Sequence, residues 1–264
     1  MRTRKTAAPS TSSDSVLRLH CPKAWGELSQ EQLRYVLSLI GSNLYNEVEI
    51  RTMMLIRFCG ITVIKRHTGG SWSCSIDEDN GKKRYFDLQS WQVQDMIGQL
   101  GFVNSPEDMD IRLEVIQGYR AVDGLLHGLQ FFDYLNLETA YQAWIMSKEN
   151  HRIGKMARIL YRDDEGNMPD RLELDAAELT DTLFWYFHVK KEFARQFPNL
   201  FRPADKIGGT FNQLEAVNAQ LRALSDGDVT KLEKVRQTDC WWCLTELDAK
   251  AREAEDFKRK YGNK

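Results

Sequence analysis

The segment from Cys21 to Val36, reading CPKAWGELSQEQLRYV, constrains the fold more tightly than any other part of the chain. Ser29 stands where a side chain caps a starting helix, and Gln32, three residues on, can reach back to the Ser29 amide. Leu28 and Leu33 occupy the two positions of a hydrophobic staple, and Pro22 and Trp25 anchor the approach. The same reciprocal pattern recurs at Asn46 with Glu49 and at Asp175 with Glu178. Three helix starts are therefore written locally into the sequence, and none of them carries chemistry.

From these starts the periodicity predicts a helix over 30–40, with Leu33, Val36, Leu37 and Ile40 on one face and Gly41 as its stop. A second helix over 47–59 ends at Gly60, and the two read as a packed hairpin. Runs at 61–64, 71–76 and 84–88, separated by Gly69-Gly70 and Asn80-Gly81, predict a three-stranded meander with Trp72, Cys74 and Ile76 on one face. A helix follows over 90–100, closed by Gly101, and Pro106 marks a loop. Ile111, Leu113 and Val115 alternate as in a strand, and the run 129–134 suggests a second β segment.

After Asn136 the pattern turns helical, over 137–149 with Tyr141, Trp144 and Ile145 on one face. Residues 155–162 read equally as helix or strand, and Asp163-Asp164-Glu165-Gly166-Asn167 with Pro169 forms a loop. The helix predicted over 176–196 places Leu179, Leu183, Phe187 and Phe193 at helical spacing. Phe184-Trp185-Tyr186 makes it apolar almost all round, as in a core helix. Pro198, Pro203 and Gly208-Gly209 form the candidate hinge. Beyond it a helix capped by Thr210 and Gln213 carries Leu214, Val217, Leu221 and Leu224, and residues 225–228 turn the chain. The fold class is thus α+β and mostly helical: an N-terminal helical hairpin with a small antiparallel meander, then a helical half ending in a long amphipathic helix. The divisions are a disordered arm at 1–15, a mixed α+β globular region at 16–200, as one unit or as two subdomains, and a helical C-terminal region at 201–264.

A formal net charge of −2 supplies no bulk attraction to nucleic acid or anionic membranes. No apolar run is long enough to cross a bilayer, and residues 1–16 lack the apolar stretch of a secretory signal, so a cytoplasmic protein without a membrane partner is expected. Five cysteines, an odd number spread along the chain, read as reduced thiols.

Motifs that would carry a reaction are not apparent. Cys240-Trp241-Trp242-Cys243 has the spacing of a zinc or redox half-site, but it opens a charged terminal helix and lacks a second ligand pair, so inert helix cysteines are the expectation. The five histidines show no His-x-x-x-His spacing, no Gly-x-Ser-x-Gly elbow occurs, and neither glycine pair has the spacing of a phosphate-cradling loop. The acidic run at 163–167 lacks the register of a calcium loop and reads as a solvated turn. No catalytic, cofactor-binding or metal-binding residue is therefore assigned, and an enzyme with a dispersed site stands as the third reading.

The helix predicted over 239–260 repeats Cys240, Leu244, Leu247, Ala251, Ala254 and Phe257 at steps of three and four, opposite a face of Lys250, Arg252, Glu253, Glu255, Asp256, Lys258 and Arg259. So narrow a seam wants one partner surface, in this chain or in another subunit, which makes Leu244, Leu247, Ala251, Ala254 and Phe257 the candidate partner-binding residues. Removing residues 239–264 is expected to abolish partner capture and leave the rest folded.

Pro22, Trp25, Glu27-Leu28-Ser29 and Gln32-Leu33-Arg34-Tyr35, together with the tail from Thr245 to Glu255, resemble the two ends of uncharacterised proteins in tailed-phage and prophage gene clusters of Bacteroidetes-type bacteria. The resemblance implies a role in virion assembly or structure, with a tail assembly chaperone among the roles, and brings no catalytic residues. It makes a phage structural or assembly protein the expected partner, with homo-oligomerisation a further option. The alternative from another class is a DNA-associated protein of the same element, using Arg2, Arg4 and Lys5 with Lys82, Lys83 and Arg84.

Overall fold

The computed structural model describes residues 17–78, 81–202 and 213–261. Within them the helices are α1 (Gln30–Gly41), α2 (Glu47–Phe58), α3 (Ser90–Gln99), α4 (Phe131–Ser147), α5 (Asn150–Leu160), α6 (Ala176–Gln196), α7 (Gln213–Ser225), α8 (Leu232–Gln237) and α9 (Cys240–Tyr261). Two three-stranded antiparallel sheets complete the fold. One is built from β1 (Thr62–Arg66), β2 (Trp72–Asp77) and β3 (Lys83–Leu88), the other from β4 (Val115–Ile116), β5 (Tyr119–Ala121) and β6 (Tyr161–Arg162). The class is mostly helical α+β.

All three predicted capping boxes form, at Ser29/Gln32, Asn46/Glu49 and Asp175/Glu178, and Gln89/Gln92 adds one at α3 that the sequence reading did not single out. Leu28 and Leu33 are both buried, as the staple requires. Trp25 lies in a short 3-10 turn, buried edge-on against Phe102 and Phe184, and its indole Nε1 donates to the Ser105 carbonyl at 3.2 Å.

The main neighbour of α1 is α6 rather than the α2 of the expected hairpin. Gly41 is the last residue of α1, and a Cβ there would fall 2.4 Å from both the Ala176 carbonyl oxygen and the Thr180 hydroxyl. It is small because two backbones meet, a reason that the helix-stop reading did not contain. Arg34 extends the junction with ion pairs to Asp175 at 2.8 Å and Glu178 at 3.0 Å.

In the first sheet, Trp72 opposes Leu88 and Cys74 opposes Phe86 on the inner face. A register shift between Val63 and Lys65 marks a bulge in β1. In the second sheet, Gln117 and Gly118, at φ 48° and 89°, make the two-residue turn with positive φ at both positions that suits a tight hairpin between β4 and β5.

Several expectations are corrected. The run 129–134 is not a β segment: apart from one bridge pairing Gln130 with Asp239, it opens α4, whose Phe131, Tyr134 and Leu135 are buried at helical spacing. An apolar run this short is compatible with both periods. Of the alternating Ile111, Leu113 and Val115, only Val115 enters a strand. The ambiguous 155–162 is both things, the end of α5 and the strand β6. On α6, Leu179, Leu183 and Phe187 are only half-buried. The innermost face runs through Glu178, Asp181, Thr182, Trp185, Tyr186, Val189 and Phe193. Pro203, Gly208-Gly209, the Thr210 cap, the 1–15 arm and Asn80 lie outside the described residues.

One hydrophobic cluster runs from Trp25 to Leu247, so residues on both sides of position 200 share a core. No helix among the described residues is long and apolar enough to cross a membrane.

Candidate partner-binding helix and the interior clusters

The two halves of α9 have different surroundings. At its start the Asp239 carboxylate accepts from the Gly128 amide at 2.6 Å and the Trp241 amide at 2.7 Å. The Cys240 thiol donates to the Leu126 carbonyl at 3.3 Å, and the Trp241 indole to the Leu125 carbonyl at 2.7 Å. His127 stacks on Trp241 with ring centroids 4.2 Å apart, and Phe193 and Phe197 make edge contacts with that indole at 5.5 and 5.2 Å. Further along, Asp248 accepts from the amides of Asn199 and Leu200 at 2.7 and 2.9 Å, and Lys250 pairs with Asp226 at 2.7 Å.

Beyond Lys250 the helix is mostly exposed, with one ion pair back to the chain, Arg202 to Glu255 at 3.5 Å. Ala251 is half-buried and Ala254 exposed; Phe257 and Tyr261 are 65% and 64% exposed, and their rings contact each other at 4.9 Å. The seam read as one partner surface is therefore divided. Leu244 and Leu247 are buried in this chain's own core and are unavailable to a partner, whereas Ala251, Ala254 and Phe257 are not part of that core. Deletion from residue 239 would strip Cys240, Trp241, Leu244 and Leu247 from the interior, so the cut that spares the body falls after Lys250. Tyr261, which continues the stripe, and Trp242, which is 73% exposed, were not among the residues picked from the seam.

The same geometry gives the Cys-Trp-Trp-Cys motif a local task. Cys240 and Trp241 satisfy carbonyls of the 124–128 turn, and the Cys243 thiol points to the Val235 carbonyl at 3.8 Å. Burial and the nearby Asp239 push both thiols up, Cys243 to about 11, which keeps them protonated at neutral pH. A second thiol pair, Cys21 with Cys59, joins the entry segment to the end of α2. The Cys59 thiol donates to the His20 carbonyl at 3.5 Å; its proximity lowers the Cys21 thiol, and proximity to Cys21 together with burial raises Cys59.

Two ionisable clusters lie inside. Asp181, fully buried on α6, accepts from the Leu113 amide at 2.9 Å and lies 2.9 Å from the Tyr161 hydroxyl, which is itself 2.8 Å from the Leu113 carbonyl. Burial raises the Asp181 carboxyl to about 7 against the opposing pull of those hydrogen bonds and of Arg112. The hydrogen bonding agrees. Tyr161 has one proton for two acceptors, and both contacts are satisfied when Asp181 keeps its own proton, donating to Tyr161 while Tyr161 donates to Leu113. In the other cluster Glu138 accepts from Tyr186 at 2.6 Å, Gln142 at 2.7 Å and Lys190 at 3.0 and 3.1 Å. These donors occupy the carboxylate oxygens, and the pair borders a cavity of about 270 Å³ between α4, α6 and α7.

A chain of His67, Ser73 and Asp87 lies on the outer side of the first sheet, with His67 Nε2 2.9 Å from Ser73 Oγ and Ser73 Oγ donating to Asp87 at 2.7 Å. Here the serine is the central member and gives its proton to the carboxylate, the reverse of an activated nucleophile, for which the histidine stands between. Among the described residues no three His, Cys, Asp or Glu side chains gather into a metal-holding group. Of the basic residues suggested for DNA, Lys83 faces Asp77 across the β2–β3 hairpin at 4.0 Å, and the arm lies outside the described residues. The chain matches no protein-family model, no curated protein and no solved structure.

Proposed function

We propose that the protein is a non-enzymatic binding protein of phage or prophage morphogenesis that grips a structural or assembly protein with the projecting half of α9. The observation that carries this reading is the division of that helix: Ala251, Ala254, Phe257 and Tyr261 make an apolar stripe at steps of three and four, outside the core that holds Leu244 and Leu247. A three-turn helix is marginal by itself in water and is stabilised when its stripe is buried. Covering Phe257 alone contributes about 1.5–3 kcal/mol. The interior supports the same reading, since Asp181 and Glu138 are engaged by the chain's own donors. The host cytoplasm is the proposed place of action, and a tail assembly chaperone is the particular role that the resemblance of the chain's ends implies.

Co-expression with the products of the adjacent genes tests this. One of those products is expected to co-purify with the full chain, and to be lost both by a chain ending at Lys250 and by the full-length F257A/Y261A variant, while circular dichroism and the thermal midpoint stay within error. Undiminished capture by both variants would overturn the proposal.

A further inference from the structure

Helix α5 carries four basic side chains, His151, Arg152, Lys155 and Arg158, and no acidic one. Its apolar residues, Ile153, Met156, Ala157, Ile159 and Leu160, are buried, so the basic ones are left on the outward side. Arg152, Lys155 and Arg158 line a groove of about 340 Å³ against α4, which contributes Asn136, Thr139 and the small Ala140 to the opposite wall. Among the described residues no carboxylate lines this groove.

Two of the three groove cations, Lys155 and Arg158, have no ion pair among the described residues, and Arg152 has one long one. Lys155 is exposed and makes no ion pair among the described residues. Arg152 Nε is buried without a hydrogen-bond acceptor, and its ion pair with Glu149 is long, 3.7 Å, with the same carboxylate 3.8 Å from His151. Arg158 Nε donates to the Pro169 carbonyl at 2.7 Å, which fixes its guanidinium beside the groove. Like charges held along one groove repel each other until an anion enters, and two guanidinium forks with an ammonium between them suit phosphate oxygens.

We infer that the α4–α5 groove is a binding site for a ligand carrying more than one phosphate, held by Arg152, Lys155 and Arg158. From Arg152 to Arg158 the helix rises about 9 Å, which gives the three side chains room to meet more than one phosphate along the groove. The chemistry shared by a nucleoside triphosphate and by consecutive phosphates of a nucleic-acid strand satisfies that spacing. The site is separate from α9, so a chain ending at Lys250 retains it even if the partner-binding proposal fails.

The test is calorimetry with ATP and with inorganic phosphate, and fluorescence anisotropy with a short labelled single-stranded DNA, all at low salt. At least one of ATP and the strand is expected to bind the wild-type protein more tightly than inorganic phosphate. Lys155→Glu, an exposed change whose fold is checked by circular dichroism, is expected to weaken that binding at least about tenfold, and Lys155→Arg to keep it within about twofold. Strand binding whose logarithm falls with log salt at about −0.7 per phosphate contacted identifies nucleic acid as the source. ATP binding with no affinity for the strand identifies a nucleotide. Failure of both probes to bind, or equal affinity of the wild type and Lys155→Glu, overturns the inference.

Discussion

Asp181 and Gly41 show what single residues contribute that their neighbours in sequence do not announce. The folded chain holds the Asp181 proton up to about pH 7, whereas an unfolded aspartate releases it near pH 3.9. Folding therefore takes up a proton between those values, and the stabilisation is complete below about pH 4 and lost as pH rises through about 7. Stability attributable to this group falls by up to about 1.4 kcal/mol per pH unit across that window. Asp181→Asn can keep a donor toward Tyr161 and an acceptor toward Leu113, so its urea unfolding free energy is expected to gain on the wild type from pH 5 to about pH 7 and to level off above it. Parallel profiles would mean that Asp181 is ionised in the fold. At Gly41 an added methyl meets backbone, and Gly41→Ala is expected to cost about 1–3 kcal/mol in the same measurement. Neither role was legible in the sequence, because Leu113, Tyr161, Ala176 and Thr180 become neighbours only after the chain has folded.

Elements were legible where their signals are local. The three capping boxes each span four residues and place their helix starts to the residue, and β1 to β3 follow from β-rich runs between glycine-containing turns. Legibility failed where a short apolar run fits two periods, as at 129–134, and where an amphipathic stripe has two different neighbours along its length, as in α9. That division has measurable consequences. Amides from Cys243 to Lys250 are expected to be protected in hydrogen exchange, and those from Arg252 to Tyr261 to exchange orders of magnitude faster. Leu244→Ala is expected to cost about 2–5 kcal/mol, whereas ending the chain after Lys250 changes stability by less than about 1 kcal/mol. Equal protection along the whole helix would show that its outer half is held by something within the chain.

Across the whole molecule the core joins segments far apart in the chain, and the cysteines report on it. Cys21 is half-buried with a lowered thiol, whereas Cys240 is fully buried and raised. Iodoacetamide labelling followed by mass spectrometry is expected to modify Cys21 first, and Cys240 only in denaturant, with the midpoint seen by circular dichroism. Labelling of Cys240 well before that midpoint would mean that the C-terminal region opens independently. The turn at 124–128 adds a constraint in time. Its carbonyls at Gly124, Leu125 and Leu126 receive their protons from Trp185, Trp241 and Cys240. A chain growing on the ribosome cannot seal that turn until the indole of Trp241, 116 residues beyond Leu125, has cleared the exit tunnel, so the middle of this protein waits, half-finished, for a segment made much later.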